Sequence, residues 1–408
     1  MSIASEITRL QNAKSALATS IGNKGVTVPA STKLDGYSAL VDQIQTGGGG
    51  GSDDEWVRPS NWPDYTKIPM SSIGADELYL TCDCRPAIAG YEPKGVNFNV
   101  IASDGYTVER GYIGENGFVS VASVSFNSNT EAKQVLPTEE GDFVVYRVTS
   151  TSTITYCKFI NWGKYSGNQT LSFANHPVIE LYGKLDNISS FPCTNMIFLE
   201  SVIMSLDSMT SMNSMFSGCM SLENVAIVVT NKMTTLRQAF KSCLSLRFID
   251  VSSWDTSNVT QFQNLFDSCY SLRRINGINS LNTKKVTNMN LVFASCFMLG
   301  DVDISNWSYD ALSSNQKMFA STRFISRIEF DESLSVMSEQ MFDGSPSLCT
   351  TFIFHSVTPP TMANVNAFGR INSDAKIYVP DNSVNDYKTA SNWSTYASYI
   401  YPLSDYTE

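Results

Sequence analysis

The chain has 408 residues, 42% hydrophobic and 16% charged, with a formal net charge of −11. That length points to two or three domains, and the hydrophobic share is enough to build real cores. The clustered Lys and Arg that nucleic acid binding requires are absent, so no nucleic-acid partner is expected. The surplus of uncharged polar residues over charged ones argues against a disordered acidic tail.

In chain order, the first apolar set is Ile3, Ile7, Leu10, Leu17 and Ile21, with Lys14 in the same seam. Steps of four and three describe a heptad stripe, which needs neighbours to be stable at this length. A second set, Leu34, Tyr37, Leu40, Val41 and Ile44, follows the loop "NKGVTVPAS". The reading is a helical anchoring or oligomerisation module over 1–46. A helical hairpin, a short helix packed on a partner and an ordinary amphipathic helix within its own domain all fit the pattern. The stretch "EITRLQNAKSALATSIGNKGVTVPASTKLDGYSALVDQIQ" resembles the N-terminal module of tail and fibre proteins of bacteriophages that infect gut bacteria. That resemblance implies attachment to other virion proteins through this module, with Ile3, Ile7, Leu10, Leu17 and Ile21 as the anchoring positions. The start, "MSIASEITRL", has no basic region followed by an apolar one, so no signal peptide is expected, and no apolar run is long enough for membrane insertion.

A glycine run at 47–52 ("GGGGGS" with its serine) has nothing to pack and reads as a hinge. Over 53–164 the pattern changes to short runs rich in Val, Tyr, Phe, Ile and Thr, such as "LYLTCDC", "FVSVASVSF" and "DFVVYRVTS". They are separated by turn signals, as at Glu115-Asn116-Gly117, which predicts an antiparallel β-sandwich. "SDGYTVERGYIGENG" faintly resembles polycystic-kidney-disease-type immunoglobulin-like domains, although their WGDG turn is absent; the resemblance implies a rigid spacer.

From 165 to 360 the chain repeats itself. Phe216, Phe240, Phe266, Phe293, Phe319 and Phe342 are 24, 26, 27, 26 and 23 residues apart. Three residues on come Cys219, Cys243, Cys269 and Cys296, then Thr322 and Ser345; six residues on come Leu222, Leu246, Leu272, Leu299, Ile325 and Leu348. This period is that of a stacked leucine-rich repeat. The i, i+4, i+7 spacing of Met212, Phe216 and Cys219 predicts a short helix in each unit, capped by residues such as Asn258 and Asn288. Leu222, Val225 and Ile227 then predict a short strand. Leu199, Val202 and Met204 extend the ladder upstream, giving about eight units. "MFSGCMSLENV", "IDVSSWDTSNVTQFQNLFDSCYSL" and "VDISNWS" resemble the BspA-like leucine-rich repeats of bacterial surface and phage proteins. The segment "SVTPPTMANVNAFGRINSDAKIYVPDNSVNDYKTASNWSTYAS" resembles the closing segment that follows such repeats, and 361–408 reads as a C-terminal cap. The resemblance implies a surface-displayed interaction scaffold.

No catalytic constellation is legible. The two histidines, His176 and His355, stand alone, and Cys82 and Cys84 form a single C-x-C; no metal site, cofactor or catalytic residue is expected. The repeated cysteines read as small buried hydrophobes, and Trp254 and Trp307 as core. Tyr270, Arg273, Arg274, Lys284 and Lys285 are the most basic patch of an acidic chain and the candidate binding residues, against the plainer reading of a solvated face.

The fold class expected is therefore multidomain α+β: a helical N-terminal segment, an immunoglobulin-like β-sandwich spacer and a C-terminal leucine-rich repeat solenoid. The function expected is a bacteriophage virion structural protein, a tail or head fibre of receptor-binding type, located in the virion and not an enzyme. Its partners would be other virion proteins, a host surface glycan or protein held by the repeats, and further copies of itself, with a trimer favoured. A bacterial cell-surface adhesin and a polysaccharide depolymerase are the alternatives.

Overall fold

The computed structural model describes residues 57–83, 97–127, 143–152, 154–160, 178–185, 191, 193–344 and 349–407. The helical module expected over 1–46, its anchoring residues Ile3, Ile7, Leu10, Leu17 and Ile21, and the glycine run lie outside these residues. Arg58–Glu408 form one compact unit.

Its first half is built from β1 (Asp76–Asp83), β2 (Asn97–Ala102), β3 (Tyr106–Gly114), β4 (Gly117–Phe126), β5 (Phe143–Thr149) and β6 (Ile154–Ile160). β2 and β6 pair antiparallel as a separate ribbon. β3 and β4 form a hairpin closed at Gly114 and Gly117, where Gly117 takes φ 108°, open to glycine without strain. β1 pairs antiparallel with β5 on one side and with β7 (Val178–Leu185) on the other. β7 then pairs parallel with β8 (Ser201–Ser205), and β8 with β9 (Asn224–Val228). One seven-stranded sheet thus runs β4-β3-β5-β1-β7-β8-β9.

This overturns the expected α+β class with its immunoglobulin-like spacer. Four strands of the expected sandwich, β1, β3, β4 and β5, share one sheet with the first strands of the repeats, and one hydrophobic core runs from Leu78 to Ile400. The described residues are mostly β, and their α-helix is a six-residue one, Val384–Thr389. The physical reason for the error is plain: alternation shows that a strand buries one face, but not which strand it pairs with. β1 and β7, side by side at the middle of the sheet, are buried on nearly every residue described. On their outer side the 3-10 turns Tyr65–Lys67 and Met70–Ser72 bring Tyr65, Ile68 and Ile73 against Tyr79, Val145 and Tyr182. The Tyr65 and Tyr182 rings stack at 4.6 Å.

The same strap carries a buried ion pair. Both terminal nitrogens of Arg58 bind the carboxylate of Glu180, which is fully buried on β7. The guanidinium lies 5.7 Å from the Trp62 ring and 5.3 Å from the Tyr65 ring, and its Nε donates to the Pro63 carbonyl at 3.0 Å. Burial pushes the Glu180 carboxyl up, against the opposing pull of Arg58 and the Thr81 hydroxyl.

In the repeats, the expected helices are absent; each is replaced by a run of tight turns. Met215 N–H donates to Met212 O, Cys219 N–H to Phe216 O and Leu222 N–H to Cys219 O, each at 3.1 Å. Between these turns the chain pairs sideways: the N–H groups of Met212, Ser214, Phe216 and Gly218 donate to Thr235, Arg237, Ala239 and Lys241 of the next coil at 2.7–3.0 Å. A helix would consume those donors within itself. What diverts them is a left-handed residue two places before and two places after each Phe: Ser214 and Gly218, Gln238 and Ser242, Asn264 and Ser268, Leu291 and Ser295, Lys317 and Ser321 all have φ of 54–76°. A left-handed residue cannot continue a right-handed helix. It does preserve the i, i+4, i+7 burial of Met212, Phe216 and Cys219, so the apolar spacing imitates a helix. Asn258 and Asn288 consequently cap nothing: Asn258 Nδ2 donates to Asn231 O one coil back at 2.7 Å, and Asn288 Oδ1 accepts from Asn290 N–H at 2.9 Å.

Seven rings line the core in a column: Phe216, Phe240, Phe266, Phe293, Phe319, Phe342 and Phe368. Neighbouring centroids are 5.4–6.2 Å apart and within 21° of parallel. Beside them runs the cysteine column. The thiols of Cys219, Cys243, Cys269 and Cys296 donate at 3.0–3.2 Å to Cys193, Phe216, Phe240 and Phe266 carbonyls of the preceding coil. Phe216 O therefore accepts both Cys219 N–H and the Cys243 thiol. The shorter hydroxyl of Thr322 turns instead to Phe319 O in its own coil, at 2.9 Å. The indole N–H groups of Trp254 and Trp307 satisfy Ile227 O and Ile278 O at 3.0 and 2.8 Å, so both are core.

Parallel strands continue the stack as β10 (Phe248–Asp250) and β11 (Arg274–Asn276), then β12 (Arg327–Phe330), β13 (Val336–Met337), β14 (Thr351–Phe354), β15 (Thr361–Met362), β16 (Lys376–Val379) and β17 (Ile400–Pro402). At Val302 and Ile304, which follow Leu299 as Val225 and Ile227 follow Leu222, no strand forms, although both residues are buried. The Asp301 carboxylate accepts Ser326 N–H and Arg327 N–H of the next coil at 2.5 and 3.2 Å, taking donors that a strand would use. β12-β14-β16-β17 close the stack, and Trp393 and Tyr387 seal its end by donating to Pro360 O and Ser356 O, each at 2.8 Å.

Phe266→Ala is expected to cost about 3–5 kcal/mol, because it opens a gap in a fully buried ring column; the urea midpoint measures it, and a cost near that of a surface change would refute the column. A pH dependence follows from the thiols. Burial pushes the Cys219 thiol up to about 12 and also raises Cys243, Cys269 and Cys296 above the ordinary value of 9. Above pH 9 the unfolded chain releases these protons while the folded chain keeps them. Stability therefore falls as pH rises from there, by up to ~1.4 kcal/mol per pH unit per thiol. Cys243→Ala should flatten the slope of midpoint against pH; an unchanged slope would remove the thiols as its cause.

Candidate interaction surface

Each coil turns a corner between its Cys and its Leu. The residue after the Cys cannot point inward, because both flanking positions are committed to the core. The column so formed is Met220, Leu244, Tyr270, Phe297 and Arg323, widened by Met298 and Phe324 and begun upstream by Phe198. Met220, Tyr270, Met298, Phe324 and Phe198 are 40–49% exposed, unusual for side chains of this size on adjacent coils. The Tyr270 and Phe297 rings stack at 4.8 Å with 22° between planes, and the Arg323 guanidinium lies 5.0 Å from the Phe297 centroid. Aromatic and cationic side chains from three successive coils are thus in contact along the column.

The column after each Leu runs alongside: Glu223, Arg247, Arg273, Gly300 and Ser326. Arg247 is paired with Glu223 at 2.8 Å. Arg273 is exposed, and no carboxylate of the described residues pairs with Arg273 or Arg323. At Gly300 a side chain would meet only Arg273 O, at 3.7 Å, so the ridge has a notch between Arg273 and Ser326. The Arg274 guanidinium, on β11, lies over the Phe248 ring of the preceding coil, 5.1 Å from its centroid.

The candidate residues read from the sequence divide in two. Tyr270, Arg273 and Arg274 sit together along this ridge. Lys284 and Lys285 sit at the next corner of the coil, in the turn closed by Val286 N–H to Thr283 O at 2.9 Å. Both lysines are exposed, and Lys285 Nζ reaches back to Asn258 Oδ1 at 2.6 Å. Sequence reasoning missed Phe198, Met220, Phe297, Met298, Arg323 and Phe324. The signal was present: reading the residue after each repeated Cys, and after Thr322 in the fifth unit, as one column gives Met220, Leu244, Tyr270, Phe297 and Arg323.

Elsewhere, His355 Nε2 lies 2.7 Å from Glu329 Oε1 beside the stack's closing strands, while His176 and Cys84 fall outside the described residues. Among the described residues, no group of three or more His, Cys, Asp and Glu side chains comes together, and no helix is long and apolar enough to cross a membrane. Cys82 is buried on β1.

The Tyr270–Phe297 stack is expected to show a coupling of roughly 0.5–1.5 kcal/mol in a double-mutant cycle of Tyr270→Ala and Phe297→Ala, while each single change costs far less than Phe266→Ala. Strict additivity would show that the rings do not hold each other.

A protein-family model described as "Mycoplasma protein of unknown function, DUF285" matches residues 198–275 and 234–352, which together cover less than half of the chain. No curated protein matches the chain. The matched residues are those of the Phe and Cys columns, and with the stacked parallel coils they fit a BspA-like repeat protein.

Proposed function

We propose that this chain is a bacteriophage virion structural protein, a tail or head fibre component of receptor-binding type, that presents its repeat stack to a host cell surface and performs no catalysis. The observation that carries the binding role is the exposed ridge of Met220, Tyr270, Phe297, Arg323 and Phe324 on a rigid stack. Support for the virion setting comes from residues 6–45, which resemble a phage tail and fibre module. In this reading that module joins other virion proteins and gathers copies of the chain, with a trimer favoured. Several copies on one particle turn weak contacts into firm attachment.

A second reading is a bacterial cell-surface adhesin. It is favoured by the description of the matching family as a Mycoplasma protein. The two readings share the ridge and differ in the particle that carries it.

An antibody against residues 193–344, applied to phage particles from the source, is expected to label fibres in electron micrographs. Label on the capsid would make the protein a head fibre, and label on uninfected cells would establish the adhesin. Full-length protein added to host cells should block phage adsorption, and Tyr270→Ala with Phe324→Ala should weaken that block by about tenfold or more, the equivalent of ~1.4 kcal/mol. Equal blocking by the variant would remove the ridge from attachment. Release of reducing ends from a host polysaccharide would overturn the non-catalytic reading.

A further inference from the structure

We infer that the ridge docks a protein, and that the partner's surface carries carboxylates set between apolar side chains. This rests on the proposed role of the repeats as the binding element and names the chemistry of what they hold.

Composition gives the first argument. The ridge consists of Phe198, Met220, Leu244, Tyr270, Phe297, Met298 and Phe324 with Arg273 and Arg323 beside them. Aromatic residues, Met and Arg are the types enriched at the centres of protein interfaces. Flexible thioethers such as Met220 and Met298 fit irregular apolar partners. A sugar chain offers hydroxyls on every side, and each that is desolvated needs a partner. The ridge offers serine hydroxyls at Ser221, Ser245 and Ser271, and apolar side chains in the equivalent places, Met298 and Phe324, of the next two coils. At Met298 and Phe324 a buried saccharide would leave hydroxyls without partners, whereas buried apolar side chains would not.

Charge gives the second argument. The whole chain carries −11, yet beside the exposed aromatics stand two guanidiniums, Arg273 and Arg323, with which no carboxylate of the described residues pairs. The acidic groups nearby are already engaged: Glu223 by Arg247, and Asp301 by the backbone of Ser326 and Arg327. The Arg323 guanidinium rests 5.0 Å from the Phe297 centroid, and the planar guanidinium fork suits carboxylate. Arg273 and Arg323 are two coils apart, an offset along the stack on the order of 10 Å at ordinary strand spacing, and stand in neighbouring columns. The Phe297 ring and the Gly300 notch lie between them. The partner that fits has two carboxylates at about that separation and an apolar side chain between them to enter the notch.

The test uses full-length protein and three probes: a short peptide alternating glutamate with tyrosine and leucine, the same peptide with lysine for glutamate, and alginate as a polyuronate. Fluorescence anisotropy should show the glutamate peptide binding, more weakly as salt is added. The double variant R273E with R323E should lose it by about tenfold or more and gain the lysine peptide. Far-ultraviolet circular dichroism and the urea midpoint check that this variant folds. If it does not, Met220→Ser with Phe324→Ser serves, and it should lose the glutamate peptide without gaining the lysine one. Alginate binding in place of the peptide would overturn the protein assignment in favour of a glycan. Equal binding of both peptides, unchanged by charge reversal, would overturn the carboxylate requirement, and failure of every probe would overturn the inference. Ridge-dependent self-association in light scattering would make the partner a second copy and overturn it too. If the wild-type protein still blocks adsorption to cells while the peptides fail, only the ligand class is wrong; loss of both fails the proposed function as well.

Discussion

Everything in the repeat region depends on where alternate backbone N–H groups are sent. In each coil the left-handed residues on either side of the Phe, such as Ser214 and Gly218, turn those donors away from the chain's own carbonyls and toward the next coil. That single diversion converts a would-be helix into one rung of a stack. It sets the coils at hydrogen-bonding distance, which brings the Phe rings to 5.4–6.2 Å and puts each thiol in reach of the preceding coil's carbonyl. Side-chain packing and backbone pairing are therefore two results of one constraint, and neither forms in an isolated unit.

The same constraint makes the outer surface regular. With Cys and Leu fixed inward three residues apart, the residues between them have no choice but to face solvent. Sequence variation at those positions changes the surface without touching the stack. Met220, Leu244, Tyr270, Phe297 and Arg323 show how far it has gone: five residue types, one column, and a continuous ridge. A fold of this kind separates the task of standing up from the task of holding on, and lets each be written in different letters of the repeat.

The period, the stacking and the inward residues were legible in the sequence, because burial at fixed spacing leaves a direct trace in Phe, Cys and Leu. The secondary structure inside each unit was not. Met212, Phe216 and Cys219 are spaced as on a helix, and only the small residues at Gly218, Ser242, Ser268 and Ser295 hinted at a left-handed turn. The sheet of the first half was misread for a different reason. β1 alternates like a strand of a sandwich, but its partner β7 lies about a hundred residues on, across a boundary that composition suggested. Long-range pairing leaves no local mark. Part of the binding surface was visible as Tyr270, Arg273 and Arg274, since charge stands out in an acidic chain. The half-buried Phe297 and the exposed Phe324 were hidden, because an outward aromatic in a repeat looks like another core residue until the coil is closed.

The Arg58–Glu180 pair has a mechanical side. The chain enters the compact unit at Arg58 and is fastened there to β7, a strand flanked by β1 on one side and β8 on the other. A pull on the residues upstream is thus delivered to an interior strand. To yield, β7 has to slide past two neighbours with many hydrogen bonds loaded together, whereas a tether on an edge strand would open them one after another like a zip. A charge pair that contributes little to an equilibrium ledger can in this position decide which way the molecule tears.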